Sequence, residues 1–234
     1  IRGLNSELIY ASHMRSEGDK LIESLEEVIR IAKETGIKVH VSHIKTSGKN
    51  NWGKIDEAIE LIGKTRDEGV RLTCDRYPYI ASSTDLDAIL PSWIYEGGRD
   101  EEIRRLGAPD IRKDLKSILS SKDSDYWKGI YISSVTKDGN RWMEGENIYN
   151  ISQRMGKSHE DAVLDILIDE GLRVGAVFFS MKEENLERFL SLPYTMIGSD
   201  SSARSFSGIT RNSKPHPRGF GTFPRFIGLY VRAK

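Results

Sequence analysis

Hydrophobic residues in the first 80 positions recur with two alternating periods. Runs of mainly apolar or β-branched residues have the length of buried strands, at residues 7–12, 37–43 and 70–75. Apolar residues spaced three to four positions apart predict amphipathic helices between them, at about 19–35 and 54–68. Gly36 and Gly69 follow these helices, where glycine commonly ends a helix. Strands joined by helical crossovers of this length predict a parallel α/β arrangement.

The alternation of strand-like and helix-like patterns is lost from Ala81 to about Lys157, a stretch rich in glycine and polar residues. We interpret residues 85–157 as an insertion or lid within a single domain, 1–234, because the stretch does not continue the βα pattern. Beyond it, the sequence predicts a helix over 159–169 capped by Ser158, and strands over 174–179 and 194–199. A short helix is predicted to begin at Ser180, with Glu183 completing a capping box.

Composition adds few constraints. The chain has 234 residues, with 35 basic and 35 acidic side chains, so its charge gives no reason to expect a nucleic-acid partner. No apolar run is long enough to span a bilayer, and we expect no membrane association and no secretory leader. The single cysteine, Cys74, excludes an internal disulfide and is read as a small buried residue. These features favour a cytoplasmic protein.

Three of the predicted parallel strands end in residues that can bind a metal, His13, His43 and Asp200. Each residue alone is more often structural, as a hydrogen-bonded histidine or a turn-forming aspartate. Together they lie at the carboxyl ends of strands, where barrel enzymes place their catalytic groups. Two imidazoles and a carboxylate suit zinc, whose catalytic sites leave one position for water, and a nearby carboxylate can accept the proton of that water.

Several blocks of sequence resemble the N-acyl-D-amino-acid deacylase, or D-aminoacylase, family of the metal-dependent amidohydrolase superfamily. These blocks are Ser12-His-Met-Arg-Ser-Glu-Gly, Val41-Ser-His-Ile-Lys, Asp75-Arg-Tyr-Pro-Tyr-Ile-Ala-Ser-Ser, Ile197-Gly-Ser-Asp and His216-Pro-Arg-Gly-Phe-Gly-Thr-Phe-Pro-Arg. The resemblance implies about strands 5–8 of a TIM-like (β/α)₈ barrel, with the insertion between strands 7 and 8. It also implies zinc and hydrolysis of an N-acyl-D-amino acid to a carboxylate and a D-amino acid.

The same resemblance implies a role for each matched residue. His13 and His43 would be metal ligands from strands 5 and 6, and Asp200 would be both a metal ligand and the catalytic carboxylate at the end of strand 8. The residues matching the family's substrate-carboxylate site are Lys45, Tyr77, Ser83 and Arg218. Two cations and two hydroxyls can satisfy a carboxylate, and an arginine can do so with two parallel hydrogen bonds.

Residues next to these positions are expected to play supporting parts. His40 should point away from His43 and be structural, because strand side chains alternate. Arg15 and Glu17 are candidates to orient the metal-binding histidines. Asp75 is read as stabilising the turn after its strand, in preference to orienting Lys45 or Arg218.

Two departures from the family pattern leave alternatives open. The family's His-x-His motif has no match in this chain. Its zinc-binding cysteine has none either, since Cys74 stands inside the predicted strand 70–75, which corresponds to strand 7 of the family's barrel. Half a barrel would expose two sheet edges unless a second copy or another chain covers them. The alternatives are therefore a cyclic-amide hydrolase, such as a hydantoinase or dihydroorotase, and a non-catalytic fragment or subunit. Lys45 and Arg218 favour an open-chain acidic substrate.

Overall fold

The computed structural model describes residues 7–211 and 214–233. The strands in this part of the chain are β1 (Ile9–Ser12), β2 (Lys38–Val41), β3 (Leu72–Arg76), β4 (Ser82–Asp85), β5 (Ile130–Ser134), β6 (Gly175–Phe178) and β7 (Thr195–Ile197). The α-helices are α1 (Leu21–Thr35), α2 (Ile55–Asp67), α3 (Arg99–Gly107), α4 (Pro109–Leu119), α5 (Ser124–Lys128), α6 (Ile148–Met155), α7 (His159–Asp169), α8 (Glu183–Leu190) and α9 (Arg218–Arg225). A π-helical turn, Phe226–Val231, follows α9.

The chain forms two compact units. The first contains the described residues up to Ile80, Ser180–Ala203 and those from Pro217 onwards. The second contains Ala81–Phe179 and the described part of 204–216. The insertion predicted at 85–157 lies within this second unit, whose bounds are wider.

A parallel four-stranded sheet organises the first unit, in the order β1-β2-β3-β7. This confirms the parallel α/β arrangement predicted from the sequence. One stripe of α1 packs against the sheet through Leu25, Val28 and Ile29, each of them buried. The helix ends at Gly36, whose φ of 69° is accessible to glycine at little cost and whose N–H donates to the Ala32 carbonyl at 2.8 Å.

An antiparallel three-stranded sheet, in the order β4-β6-β5, belongs to the second unit. Its core surrounds the buried Trp127. Buried Glu170, just after α7, accepts hydrogen bonds from the Thr136 N–H at 2.6 Å and the Lys137 N–H at 3.1 Å, together with the Asn140 amide. This carboxylate joins the end of α7 to the segment that follows β5.

One predicted cap is confirmed and another is wrong. The Ser158 hydroxyl accepts from the Asp161 N–H at 3.2 Å and caps α7. In contrast, α8 begins at Glu183 without a side-chain cap. The Ser180 hydroxyl instead contacts the Ser47 hydroxyl at 3.1 Å, and its carbonyl accepts from the Trp52 indole at 2.9 Å. Ser180 is used to fix the loop after β2 and is therefore not available as a cap.

None of the helices among the described residues combines the length and apolar composition needed to cross a membrane.

Candidate active site

Two histidines meet at the carboxyl edge of the parallel sheet. His13 directly follows β1, and His43 lies two residues after β2. Because Ser12 is level with Val41 in the parallel register, the residues after both strands emerge side by side. His13 Nδ1 lies 2.8 Å from His43 Nε2, and the ring centroids are 4.6 Å apart. The structure therefore brings together the two histidines that the sequence singled out.

His43 has a left-handed backbone conformation, with φ of 43°. This conformation is uncommon for a residue other than glycine and costs about 1–3 kcal/mol, so surrounding contacts must hold it. The Asp75 carboxylate accepts the His43 N–H at 2.8 Å through Oδ1. The Asp75 carbonyl accepts the Ile44 N–H at 2.9 Å. Asp75 therefore fixes the turn that points the His43 ring at His13.

Asp75 has a second partner, His40. Its Oδ2 lies 2.8 Å from His40 Nε2, while His40 Nδ1 lies 2.9 Å from the Thr73 hydroxyl. Burial alone would raise the pKa of Asp75, but the hydrogen bonds with His40 and the His43 N–H keep that pKa below its ordinary value. His40 thus bonds to two residues of β3, and its structural role stays a prediction. The contact between His40 and Asp75 could have been predicted, because strand alternation and register place both residues on one face of the sheet. The contact between Asp75 and the His43 N–H could not be predicted in this way, and sequence reasoning missed it.

Glu17 and Lys45 surround the far side of the His43 ring. Nδ1 of His43 lies 2.6 Å from Glu17 Oε1 and 2.8 Å from Lys45 Nζ, and the Lys45 ammonium pairs with the same carboxylate oxygen. Burial opposes ionisation of Glu17, but the hydrogen bond to His43 and the Lys45 charge lower its pKa to about 2. When His43 Nδ1–H donates to this carboxylate, Nε2 presents its lone pair towards His13. Glu17 therefore contacts the site, whereas Arg15 pairs with Glu27 at 2.7 Å.

The chemistry of this group fits a metal ion. One ligand atom from each of His13, Glu17 and His43 lies within 4.8 Å of the others. Partial burial lowers the pKa of His13 by more than the Glu17 charge raises it, which favours the neutral imidazole that metals require. Two nitrogens on one tetrahedral zinc are about 3.3 Å apart, so the observed 2.8 Å separation needs only a small outward adjustment.

Asp200, the third predicted metal ligand, is not part of this group. Its Oδ2 pairs with Arg218 Nη1 at 2.7 Å. Its backbone is left-handed, with φ of 47°, a conformation tolerated better by aspartate than by most residues. Its charge raises the pKa of His13, although less than the Glu17 charge does. Among the described residues, the carboxylate within 4.8 Å of both histidines is that of Glu17, which bonds to the His43 nitrogen facing away from His13.

Three of the four predicted carboxylate-binding residues also lie together. The Tyr77 ring is fully buried, with the Arg218 guanidinium carbon 4.7 Å from its centroid and Lys45 Nζ 5.8 Å from it. Both cations are themselves largely buried. The fourth residue, Ser83, belongs to β4 of the second unit, where it is level with Val177.

Comparison with known proteins identifies the relatives of this chain. No protein-family model matches it. It is 30% identical to the D-aminoacylase of Alcaligenes xylosoxydans xylosoxydans over 226 residues, which cover 96% of this chain and 36% of that protein. The predicted resemblance is confirmed: this chain is similar to D-aminoacylase over almost its whole length. It is also 27% identical over 224 residues to the N-acyl-D-glutamate deacylase of the same organism, with the same coverage of each chain.

Solved structures of D-aminoacylase relatives agree with this result. A crystal structure of D-aminoacylase, described as defining a subset of amidohydrolases, matches with a TM-score of 0.66 and 29% identity. The N-acyl-D-glutamate deacylase of Bordetella bronchiseptica, complexed with zinc and a phosphonate mimic of the tetrahedral intermediate, matches with a TM-score of 0.69 and 28% identity. Each match covers 96% of this chain and 37% of the solved one. The chain thus spans little more than a third of the length of these relatives.

Proposed function

We propose that this chain carries part of the active site of a zinc-dependent hydrolase that cleaves the amide bond of N-acyl-D-amino acids. The observation that supports this most is the convergence of His13 and His43 at the ends of two adjacent parallel strands. Their nitrogens are 2.8 Å apart, close to the separation of about 3.3 Å between two nitrogen ligands of one tetrahedral zinc. The similarity to D-aminoacylase over nearly the whole chain supports the choice of reaction.

Each residue of the site has a proposed part in the reaction. His13 and His43 would hold the metal, with Glu17 as a further ligand or as the acceptor that orients His43. Zinc bound there would polarise an amide carbonyl and lower the pKa of a bound water. Asp200 would accept the proton of the attacking water and pass it to the leaving amine. Its ion pair with Arg218 keeps the carboxylate oriented until substrate enters.

A substrate carboxylate would be held by the cations beside Tyr77. Lys45 and Arg218 supply charge-assisted donors, and the Tyr77 hydroxyl supplies a third polar group. Ser83 is proposed as a fourth, by resemblance. A carboxylate-bearing substrate fits two cations better than a neutral cyclic amide such as hydantoin does, which favours a deacylase over a hydantoinase-like activity.

We further propose that the parallel sheet is about strands 5–8 of a (β/α)₈ barrel, with the second unit inserted between strands 7 and 8. Within the described residues, β1 and β7 are the edge strands of this sheet. Leu8, just before β1, and Ile9, its first residue, are 50% and 61% exposed, and Met196 on β7 is 51% exposed. Apolar side chains on open edges favour pairing with further strands, from the rest of a barrel, another chain or a second copy.

Elemental analysis of the purified chain, together with its mass in solution, tests the proposal. We expect about one zinc per chain, lost in His43→Gln and retained in the control His159→Gln. His159 bonds to the Ser152 hydroxyl at 2.6 Å in the second unit and has no part in the proposed site. Zinc-loaded chain should hydrolyse N-acetyl-D-leucine in preference to its L enantiomer and to hydantoin.

Two results would count against the proposal. Absence of zinc from a self-associating wild-type chain would support the alternative of a non-catalytic fragment or subunit. Zinc that remains bound in His43→Gln would remove the proposed site, whatever activity the chain shows.

A further inference from the structure

A buried arginine at the end of β3 has no carboxylate partner among the described residues. Arg76 is 1% exposed. Its Nη2 donates to the Tyr79 carbonyl at 2.9 Å and contacts the Met181 sulfur at 2.8 Å. Within the described chain, Nε and Nη1 have no hydrogen-bond acceptor. A guanidinium stays charged at any ordinary pH, and burying it without a counter-charge is costly, so another favourable contact must hold it there.

That contact is the ring of Tyr77. The Arg76 guanidinium carbon lies 4.3 Å from the ring centroid, nearer than Arg218 at 4.7 Å and Lys45 at 5.8 Å. Such a cation–π contact is strongest where water is excluded, as it is here. Lys45 and Arg218 each have a carboxylate partner, Glu17 and Asp200 respectively. The positive charge of Arg76 is therefore the one that these carboxylates leave unpaired.

Arg76 leaves β3 on the same face as Leu72 and Cys74. Side chains of β3 alternate, and Leu72, Cys74 and Arg76 are its buried positions. Leu72 and Cys74 pack in the core shared with α1 and α2. Arg76 thus leaves β3 on the face opposite Asp75, the residue that contacts His40 and His43, and its described contacts are with Tyr77, Tyr79 and Met181.

We infer that Arg76 is a positioning residue for the carboxylate-binding group. It holds the Tyr77 ring beside Lys45 and Arg218 and adds a positive charge that favours an anionic substrate. The inference rests on the proposed function for the link to substrate, but the contact with Tyr77 can be tested without any ligand.

The first test measures Tyr77 directly, by NMR of the chain with ¹³C-labelled tyrosine rings. Arg76→Met removes the charge at similar volume, and Arg76→Lys keeps the charge but loses the planar stack. The matched control is Arg66→Met, since Arg66 stacks on Tyr194 at 4.7 Å and donates to the Leu72 carbonyl at the opposite end of β3. We expect Arg76→Met to shift and broaden the Tyr77 signals and to leave those of Tyr194 unchanged, with the reverse in the control. Unchanged Tyr77 signals in Arg76→Met would overturn the inference.

The second test measures binding by calorimetry in the presence of a chelator, so that no turnover is required. The probes are N-acetyl-D-leucine and its carboxamide. We expect Arg76→Met to weaken binding of the acid about tenfold, with the carboxamide unaffected, and Arg66→Met to change neither. Arg76→Lys should weaken acid binding by a smaller factor, and it replaces Arg76→Met if that variant does not fold.

The outcomes separate the two proposals. If the wild type binds the acid and both Arg76→Met and Arg76→Lys bind it equally well, the role of Arg76 is overturned. The proposed function then remains intact. No acid binding by the wild type refutes the carboxylate site of the proposed function, and the link from Arg76 to substrate with it. Equal weakening of acid and carboxamide would show that Arg76 acts on the fold alone, which also overturns the inference.

Discussion

Replacing Asp75 by alanine should destabilise the first unit and release the His43 backbone. The Asp75 carboxylate accepts the His43 N–H at 2.8 Å and pairs with His40 at 2.8 Å. Alanine leaves the His43 N–H without its carboxylate acceptor and removes the partner of His40. The left-handed conformation at His43 then loses the contact that holds it.

The expected magnitude follows from these contacts. A hydrogen bond to a charged group contributes about 1.5–3 kcal/mol, and two are lost. The Asp75 side chain is 24% exposed, so water replaces part of the loss and the lower end of the range applies. We expect the free energy of unfolding of the first unit to fall by about 3 kcal/mol, which is roughly a 150-fold change in its unfolding equilibrium. Asp75→Asn keeps an oxygen for the His43 N–H and should cost about 1 kcal/mol.

The assay must report on the first unit alone. Trp52 lies in that unit and the other three tryptophans lie in the second, so its indole signal in ¹H–¹⁵N NMR spectra can follow urea unfolding of the first unit. Hydrogen exchange of the His43 amide reports the local effect. Asp56→Ala is the control, because Asp56 forms an exposed ion pair with Arg188 in the same unit and should cost less than about 1 kcal/mol.

A specific result would refute this reasoning. If Asp75→Ala lies within about 0.5 kcal/mol of the wild type and the His43 amide remains as protected, Asp75 does not hold the turn. The geometry of the histidine pair would then need another cause.

Three further predictions concern stability. Burial would raise the pKa of Glu170, but the hydrogen bonds it accepts lower that pKa, so its stabilisation is complete above the ordinary carboxyl pKa and is lost as pH falls through the lowered one. Glu170→Gln should therefore lower the free energy of unfolding of the second unit by about 2 kcal/mol at pH 7. It should also reduce the loss of this stability as pH falls into the acid range, and an unchanged acid dependence would contradict the prediction. Gly63→Ala, inside α2 with open space around the position, should raise the thermal midpoint by the equivalent of about 0.5–1 kcal/mol, whereas Gly36→Ala should lower it; a gain at both positions would refute the assignment of left-handed backbone at Gly36. Gly221→Ala would place a Cβ against the Tyr79 hydroxyl and should lower the thermal midpoint. An unchanged midpoint, with Tyr79 moved aside in a crystal structure of the variant, would contradict this.

Local pattern was enough to predict the strands of the parallel sheet and the helices α1, α2 and α7. The α7 helix occupies the predicted 159–169 and begins at the predicted Ser158 cap. Apolar periodicity and capping depend on neighbouring residues in the chain, so they can be read directly from the sequence. The adjacency of His13 and His43 was predictable for a related reason. Parallel strands joined by one helix are usually neighbours, and the residues that follow them emerge at the same edge.

Contacts between distant segments were not predictable in this way. Sequence reasoning did not anticipate the ion pair of Asp200 with Arg218, or the contact of Asp75 with the His43 N–H. It also did not anticipate that Ser180 would fix the loop after β2 in place of capping α8.

The sequence by itself thus determined the strands of the parallel sheet, the helices α1 and α2 between them, and the edge at which the two histidines meet. Only the tertiary structure decided which charged groups surround them. The physical reason lies in the left-handed turns at His43 and Asp200. A single residue with positive φ redirects the side chain and the chain that follows it, and the contacts that make this conformation tolerable, such as Asp75 with the His43 N–H, come from another strand.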